Sequence, residues 1–393
     1  MFNVEPKNKD IKNNFIKKDS QMLKQMWGSD DVVPYWVADM DFPIAPSIAQ
    51  ELQRLVTRET FSYEFDSESV FASISKWNSK RHGLDLNPKN FVQVPGVLSA
   101  IGLLIREFSA EGEGVLIQAP VYHQFRRLIE SAGRVAVDNT LKLVEDHYQI
   151  DFEDFEAKLQ HSNVKIVLLC NPHNPVGRVW KRGELEKLVA IAKKYQTLII
   201  SDEIHADIVF EGSEFTSIVS LGLGYDNSIS IIGSPAKNFG LSSISNGYIY
   251  SDNAELHTKV KAMSASMSLD HGNALTTYAT IAAYQHGEEW FNEFLNYTQT
   301  NMNWITEFLE TNLPQIKVYK PEGTSQVWLD FAGLGLEPEQ LKELLVMRAK
   351  MALTPGSWFG ESDSNYYRMN FASPLPQIKA SLNLLLSEIQ KLS

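Results

Sequence analysis

The sequence predicts an α/β protein with a mostly parallel, helix-covered sheet in a large domain and a smaller α/β domain after it. Short apolar runs of strand length alternate with segments of helical periodicity. Strands separated by helices form parallel βαβ units, whose sheet is covered on both faces. The 393 residues also exceed what a single hydrophobic core usually holds, so two domains are expected.

Composition and charge restrict the classes of function. Hydrophobic residues make up 44% and charged residues 21% of the chain, as in ordinary globular proteins. A net charge of -12 repels phosphate backbones and anionic lipid surfaces, so we expect neither nucleic acid nor a membrane as a partner. The single cysteine, Cys170, cannot form an internal disulfide, and the N-terminus MFNVEPKNKDIKNN has no apolar signal region. We therefore expect a cytoplasmic protein, and no metal site.

The N-terminal third leads from an irregular segment into helices. The first 35 residues are polar, rich in lysine and without clear periodicity, and they run into the aromatic and acidic stretch 36–42. Helical periodicity begins at Pro46, and a second amphipathic helix contains Trp77. The turn Val94-Pro95-Gly96 then opens an apolar helix. Its first N–H groups would favour a phosphate, although an ordinary helix cap gives the same pattern.

Five short apolar runs are the predicted strands of the main sheet. Between two of them, a helix is marked by apolar residues at positions i, i+3, i+4 and i+7. Ligands of parallel sheets bind beyond the carboxyl ends of the strands, so functional residues are expected there. The strand runs are Val115 to Ile117, Val135 to Val137, Val164 to Cys170, Leu198 to Ile200 and Ile229 to Ile232, and the helix carries Leu185, Leu188, Val189 and Ala192.

The C-terminal part has the elements of a smaller domain. A bridging segment at 270–284 and an aromatic helix through Trp290 and Trp304 lead to a strand at 327–329. We expect residues 1–45 to be an N-terminal segment packing with the small domain, 46–285 to be the large, ligand-binding domain and 286–393 to be the small domain. Two further helices are marked by Leu341, Leu344 and Leu345, and by Ile378, Leu382, Leu385, Leu386 and Ile389.

An amide, a carboxylate and an amine follow neighbouring predicted strands. Asn174 lies in a loop with two Asn-Pro pairs, Asp202 ends the next strand, and Lys237 follows the run 229–232. A lysine at the end of a buried strand can be desolvated enough to act as a nucleophile, although most such lysines are solvated caps. Pyridoxal phosphate needs these three partners: an amine for its aldehyde, a carboxylate for its ring nitrogen and a donor for its ring oxygen.

Four motifs make the chain recognisable. The segments CNPHNPVGRVW, SDEIHADI, WVADMDF and PGVLSAI resemble the MalY/PatB-type C–S lyases, the cystathionine β-lyase branch of the fold-type I pyridoxal-phosphate enzymes in the class I/II aminotransferase superfamily. The resemblance extends from about Trp36 to Pro374. It implies an aspartate aminotransferase-like fold, pyridoxal 5'-phosphate as cofactor, an amino-acid substrate and a homodimer.

The resemblance also implies a role for each candidate residue. Lys237 is the Schiff-base lysine, Asp202 the partner of the pyridine nitrogen, and Asn174 the partner of the ring oxygen. Arg368 binds the substrate carboxylate, and Tyr63 reaches the phosphate of the partner subunit. The catalytic residues are then Lys237, Tyr122 and Asp202; the cofactor is held by Gly96, Val97, Leu98, Tyr122, Asn174, Asp202, His205, Ser234, Lys237 and Tyr63; the substrate is held by Arg368, Asn174, Tyr122 and Ala38.

Each of these residues also has an ordinary structural explanation. Asp202 could cap a helix, Tyr122 could be a core aromatic, Arg368 could belong to a surface ion pair, and His205 could be a satisfied histidine at a strand end. Because these residues occur together, in motifs that follow the expected order, a shared binding site is favoured over the separate structural explanations. Cys170 is interpreted as a small buried hydrophobe, because no basic residue beside it in sequence would generate a thiolate.

The leading hypothesis for the reaction is β-elimination from an S-substituted cysteine, giving a thiol, pyruvate and ammonia. The stretch 238–241, Asn-Phe-Gly-Leu, resembles aspartate aminotransferases more than the Thr-Phe-Asn pattern of the lyases, so an aminotransferase is the alternative. His205 and Ser245 stand where those aminotransferases carry a tyrosine and an arginine, which favours the lyase. A regulatory protein on the same fold is a third possibility, but the first 35 residues are too short and irregular for a DNA-binding helix pair.

Overall fold

The computed structural model describes residues 3–5, 14–161, 163–222, 228–244, 246–360 and 365–392. Its strands are β1 Val33–Pro34, β2 Phe91–Val94, β3 Gly114–Ile117, β4 Val135–Asp138, β5 Lys142–Val144, β6 His147–Gln149, β7 Val164–Cys170, β8 Leu198–Asp202, β9 Ile229–Gly233, β10 Gly247–Tyr250, β11 Lys317–Tyr319, β12 Gln326–Asp330, β13 Met351–Ala352, β14 Thr354–Pro355 and β15 Tyr366–Asn370. Its α-helices are α1 Ser20–Trp27, α2 Pro46–Thr57, α3 Ser67–His82, α4 Val97–Phe108, α5 Gln124–Ser131, α6 Phe152–His161, α7 Arg182–Lys194, α8 Ala236–Phe239, α9 Ala254–Ser266, α10 Ala274–His286, α11 Glu288–Asn312, α12 Pro338–Lys342 and α13 Leu375–Gln390.

The main sheet has seven strands in the order β2-β10-β9-β8-β7-β3-β4. The five runs predicted from the sequence are β3, β4, β7, β8 and β9, and the pairings among these five strands are all parallel. Strand β10 runs antiparallel to both of its neighbours. Only the four-residue helix α8 stands between β9 and β10 as a regular element, whereas a parallel return needs a longer crossover across the sheet. The predicted fold class, a mostly parallel sheet covered by helices, is confirmed.

Three adjacent strands of this sheet end at the same edge. The register pairs Cys170 with Asp202, and Asp202 with Ile232. Every residue of β8 is buried, since this β-branched and apolar strand lies in the middle of the sheet. The segments that follow β7, β8 and β9 therefore emerge side by side at the carboxyl edge.

The apolar helix α4 covers one face of the sheet close to that edge. Ala100, Ile101 and Leu104 are completely buried in the same apolar cluster as residues of β3, β7 and β8. The first turn of α4, immediately after Gly96, lies near the carboxyl ends of the strands, since residues 96–98 line the same cavity as Asp202 at the end of β8.

The N-terminal segment contains a helix that its irregular pattern does not predict. The Asp19 carboxylate accepts a hydrogen bond from Met22 N at 2.8 Å, and Gly28 ends α1 with a φ of 83°. The helix buries Leu23 and Trp27. Beyond it, β1 pairs in parallel with β13.

The C-terminal part has its own four-stranded antiparallel sheet, in the order β11-β12-β15-β14. The predicted strand at 327–329 lies in β12, and the two predicted helices are α12, continued by a π-helix at Glu343–Arg348, and α13. The 25-residue helix α11 leads into this part of the chain. Domain boundaries near residues 45 and 285 stay a prediction. No helix in the described ranges has the length and apolar character needed to span a bilayer.

Candidate active site

A cavity of about 460 Å³ lies at the carboxyl edge of β7, β8 and β9. It brings together every predicted site residue except Tyr63, which lies on the surface with 97% of its area exposed. The predicted residues that line the cavity are Ala38, Gly96, Val97, Leu98, Tyr122, Asn174, Asp202, His205, Ser234, Lys237 and Arg368.

Lys237 projects into the cavity from α8. Its Nζ donates a hydrogen bond to the Ala38 carbonyl at 2.5 Å. Burial lowers the pKa of the Lys237 amine below its ordinary value; nearby Asp39 and Asp202 oppose this shift, and the charge of Arg368 adds to it. A larger fraction of this amine is therefore neutral than of a surface lysine, which is what a nucleophile or a base requires.

Asp202 ends β8 and is almost fully buried. Its Oδ1 accepts a hydrogen bond from Ile204 N at 3.1 Å. Burial nevertheless raises the pKa of the carboxyl group to about 7. A cationic N–H group placed against this side chain would stabilise the carboxylate, so Asp202 suits a protonated ring nitrogen better than it suits a helix cap.

Arg368, on β15, is a buried cation without an acidic partner in the described ranges of the chain. Its Nη1 donates to Asn174 Oδ1 at 2.9 Å, and its Nη2 donates to the Trp36 carbonyl at 2.6 Å. Its Nε has no hydrogen-bond partner, and no described carboxylate forms an ion pair with it. Burial lowers the pKa of the guanidinium to about 10. A buried and unpaired charge is costly, and a ligand carboxylate would complete this site.

The first turn of α4 presents backbone amides to the cavity. No side chain caps this turn, so its N–H groups are available to an anion. The backbone of β10 comes very close: a Cβ added to Gly247 would lie 2.8 Å from the carbonyl carbon of Gly96. Ser234 also faces the cavity, but its hydroxyl donates to the Asn246 carbonyl at 2.6 Å and accepts from Ala236 N at 3.2 Å.

The remaining polar side chains of the cavity are neutral. Burial lowers the pKa of His205 to about 3, and its Nδ1 has no hydrogen-bond partner. Burial raises the pKa of the Tyr122 phenol, which therefore stays protonated. Because Asn174 Oδ1 already accepts from Arg368, the amide NH₂ is its free donor. Uncapped amides, an amine, a buried carboxyl group and neutral donors together form a set that fits pyridoxal phosphate.

The buried residue Cys170 also lines the cavity. The thiol of Cys170 lies at its base, donating to the Pro172 carbonyl at 3.3 Å, and burial raises the pKa of this thiol well above its ordinary value. Cys170 thus behaves as a small buried hydrophobe. Ser245 lies outside the described residues.

Sequence reasoning missed an aromatic wall of the cavity. Trp36, His123 and Trp358 line it, with ring centroids 6.5 Å apart for Trp36 and Trp358 and 5.5 Å apart for His123 and Trp358. Only Trp36 lay in a recognised motif. His123 and Trp358 carry no local signal, because they meet only through tertiary structure.

Comparisons with known proteins agree with this geometry. Residues 37–380 match the family Aminotransferase class I and II. The chain is 32% identical to cystathionine beta-lyase PatB of Bacillus subtilis, over 94% of this chain and 98% of the relative. Cystalysin from Treponema denticola, solved with pyridoxal 5'-phosphate, superposes with a TM-score of 0.93 at 28% identity, covering 100% of this chain and 99% of the other. A pyridoxal-phosphate-bound protein from Clostridium difficile 630, provisionally named an aminotransferase, also gives 0.93, at 34% identity and 99% coverage of both chains.

Proposed function

Because the chain belongs to the class I and II aminotransferase family, we propose that it is a pyridoxal-phosphate-dependent carbon–sulfur β-lyase. It cleaves S-substituted L-cysteine, such as cystathionine or another cysteine thioether, to a thiol, pyruvate and ammonia. The observation that carries the proposal is the shared cavity of Lys237, Asp202 and the unpaired cation Arg368. The names of PatB and cystalysin favour the lyase over the aminotransferase.

The cofactor supplies an aldehyde that bonds to amines and a ring that accepts electrons from the substrate Cα. Asp202 would hold the ring nitrogen protonated, while Asn174 and His205 would donate to the ring oxygen. Tyr122 would pack against the ring. The amides of residues 96–98 and the Ser234 hydroxyl would hold the phosphate, once that hydroxyl turns away from the Asn246 carbonyl.

Arg368 binds the α-carboxylate of the substrate. Its Nε is unpartnered and its guanidinium already lies over the Phe359 ring, with 4.8 Å between its central carbon and the ring centroid. Two parallel N–H bonds to a carboxylate fix its plane, and with it the direction of the bonds at Cα. The aromatic wall of the same cavity would offer an apolar surface to the thioether side chain of the substrate.

Lys237 moves the proton. Its Nζ would take the proton from the substrate Cα, since burial lowers the pKa of this amine and so favours its neutral form. The Cβ–S bond then breaks with its electron pair on sulfur, and the thiolate takes up a proton as it leaves. One water molecule converts the remaining three-carbon unit to pyruvate and ammonia, so the overall reaction consumes one thioether and one water.

Release of pyruvate from a panel of cysteine thioethers tests this proposal. S-methylcysteine, S-benzylcysteine and cystathionine should each give pyruvate and thiol in equal amounts, at a rate that does not depend on an added 2-oxo acid. Turnover that requires the 2-oxo acid and releases no pyruvate would instead identify an aminotransferase. No turnover of any amino acid by the cofactor-loaded protein would favour a regulatory role.

We also propose that the protein is a homodimer. Phe61, Tyr63 and Phe65 precede α3 and are more than half exposed, which is unusual for large apolar side chains in one short stretch. A second copy of the chain would cover them, and Tyr63 would then reach the phosphate in the partner's cavity. A cytoplasmic location stays a prediction.

A further inference from the structure

We propose that Asp207 is a positioning residue that holds the helix of Lys237 in its reactive orientation through Asn238. The proposal rests on the role of Lys237 as the amine that bonds to the cofactor. Asp207 does not line the cavity, and it acts on the chemistry only through α8.

The Asp207 carboxylate is a buried acceptor shared by two helices, α3 and α8. Its Oδ2 accepts from Trp77 Nε1 at 2.9 Å and from the side-chain amide of Asn238. Its Oδ1 lies 2.7 Å from His82 Nε2 and 3.5 Å from Arg81 Nε. The side chain is only 7% exposed. Asp207 thus joins α3 and α8 to the segment that follows β8.

Helix α8 needs such support from outside. It has four residues, far fewer than an isolated helix needs to be stable. Phe239 is fully buried and packs on Trp77 with 5.5 Å between ring centroids, which fixes one side of the helix. Among the described residues, Asp207 is the one side-chain hydrogen-bond partner of Asn238, whose Oδ1 has none.

The helical geometry links this hydrogen bond to the direction of Lys237. Successive residues of an α-helix point about 100° apart, since a turn contains 3.6 residues. When Asn238 faces Asp207, the neighbouring Lys237 is turned towards the cavity, where its Nζ reaches the Ala38 carbonyl. Rotation of α8 would break both contacts at once.

The chemistry of the pair gives Asn238, the first residue of the Asn-Phe-Gly-Leu stretch, a structural role. A carboxylate only accepts hydrogen bonds, and the amide of Asn238 offers N–H donors to it. Two of the three carboxylates in the motif SDEIHADI therefore have separate tasks: Asp202 faces the cofactor, and Asp207 faces the helix that carries Lys237.

Two forms of the cofactor distinguish a loss of Lys237 orientation from general damage to the cavity. Pyridoxal phosphate bonds to Lys237, whereas pyridoxamine phosphate has no aldehyde and binds without that bond. In Asp207→Asn, we expect the lysine-bound absorption band to form at least tenfold more slowly on adding pyridoxal phosphate to the apoprotein. The dissociation constant of pyridoxamine phosphate should stay within threefold of wild type. Asp85→Asn is the matched control, because Asp85 accepts from Ser79 Oγ of α3 at 2.7 Å on the exposed side.

A second variant covers the case in which Asp207→Asn does not fold. Asn238→Asp places a carboxylate against Asp207 and should slow band formation at least as much, while the double variant D207N/N238D restores an amide–carboxylate pair and should recover part of the rate. A normal rate in both single variants would overturn the proposal, as would equal losses of affinity for both cofactor forms. Wild-type protein that forms no lysine-bound band would instead contradict the proposed function itself.

Discussion

At the scale of single residues, burial adjusts each ionisable group of the cavity in a direction that its proposed task needs. It lowers the pKa of the Lys237 amine and raises the pKa of the Asp202 carboxyl group. It also leaves Arg368 as a cation without an acidic partner among the described residues. Burying these groups without partners is unfavourable in free energy. A bound cofactor and substrate would offset this, because they bring the complementary charges.

Lys237→Ala should abolish turnover and the lysine-bound absorption band and leave the fold intact. The variant loses both the amine that bonds to the cofactor and the base that takes the Cα proton. Pyruvate release, the visible spectrum and thermal unfolding measure these effects together. Activity within tenfold of wild type would show that Lys237 does not have its proposed role.

Asp202→Asn should stabilise the apoprotein more strongly at pH 8 than at pH 5. The folded-state pKa of about 7 lies above the ordinary value of 3.8. The contribution of Asp202 to the free energy of unfolding is therefore fully present below pH 3.8, and it is lost as the pH rises from there to about 7. Asparagine removes this loss, which amounts to about 2–3 kcal/mol between pH 5 and 8 at ~1.4 kcal/mol per pKa unit. Thermal or urea unfolding of apoprotein at both pH values measures it. Equal effects of the substitution at the two pH values would show that Asp202 is not an unpaired buried carboxyl group.

The reactive residues could be predicted because they follow strand ends, where sequence order and spatial order agree in a parallel sheet. Lys237, Asp202 and Asn174 meet for this reason. Trp358 and Asp207 could not be assigned, because their contacts join parts of the chain that are far apart in sequence and depend on how helices pack.

At the scale of elements, the start of α4 depends on the close approach of β10. A Cβ on Gly247 would lie 2.8 Å and 2.9 Å from the carbonyl carbon and Cα of Gly96, and 3.2 Å from Val97 N. All three are backbone atoms, so they cannot move aside without moving the proposed phosphate-binding turn.

Gly247→Ala should therefore weaken cofactor binding by about tenfold or more, an effect of at least ~1.4 kcal/mol. Gly102→Ala is the control: it lies within α4, a Cβ there meets nothing within 4 Å, and it should leave cofactor affinity unchanged while stabilising the helix by ~1 kcal/mol. Fluorescence titration of apoprotein with pyridoxal phosphate measures both. An unchanged affinity of Gly247→Ala for pyridoxal phosphate would show that this turn does not bind the phosphate.

Regular periodicity decided which elements could be predicted. The apolar runs of β7 and β9 and the amphipathic face of α7 are strong local patterns. Helix α1 is short and polar, and its only signals are the caps at Asp19 and Gly28. The antiparallel direction of β10 has no local signal, because it depends on the connection through α8 rather than on composition.

At the scale of the whole molecule, the cavity is built from distant parts of the chain. The parallel pairing of β1 with β13 brings Trp36 to Trp358, and β15 contributes Arg368. The site thus combines the main sheet with the C-terminal part and the N-terminal segment. In the proposed homodimer, the exposed Tyr63 would add to the partner's site.

Mixing two defective variants tests the dimer. Tyr63→Ala lacks the residue proposed to serve the partner's site, and Lys237→Ala lacks the amine of its own site. In a mixed dimer, one cavity has both Lys237 and the partner's tyrosine, so the mixture should be more active than either variant alone. If the tyrosine served its own chain, no cavity of the mixed dimer would contain both residues and activity would not rise. Sedimentation of fully active monomers at nanomolar concentration would also contradict the homodimer.

A single turnover shows which reaction follows removal of the Cα proton. Cofactor-loaded protein is mixed with an equimolar cysteine thioether in the absence of any 2-oxo acid, and pyruvate, thiol and pyridoxamine phosphate are measured. The thiolate is a good leaving group already attached at Cβ, so we expect one pyruvate and one thiol per site and no build-up of pyridoxamine phosphate. Stoichiometric pyridoxamine phosphate without pyruvate would contradict the lyase and identify an aminotransferase.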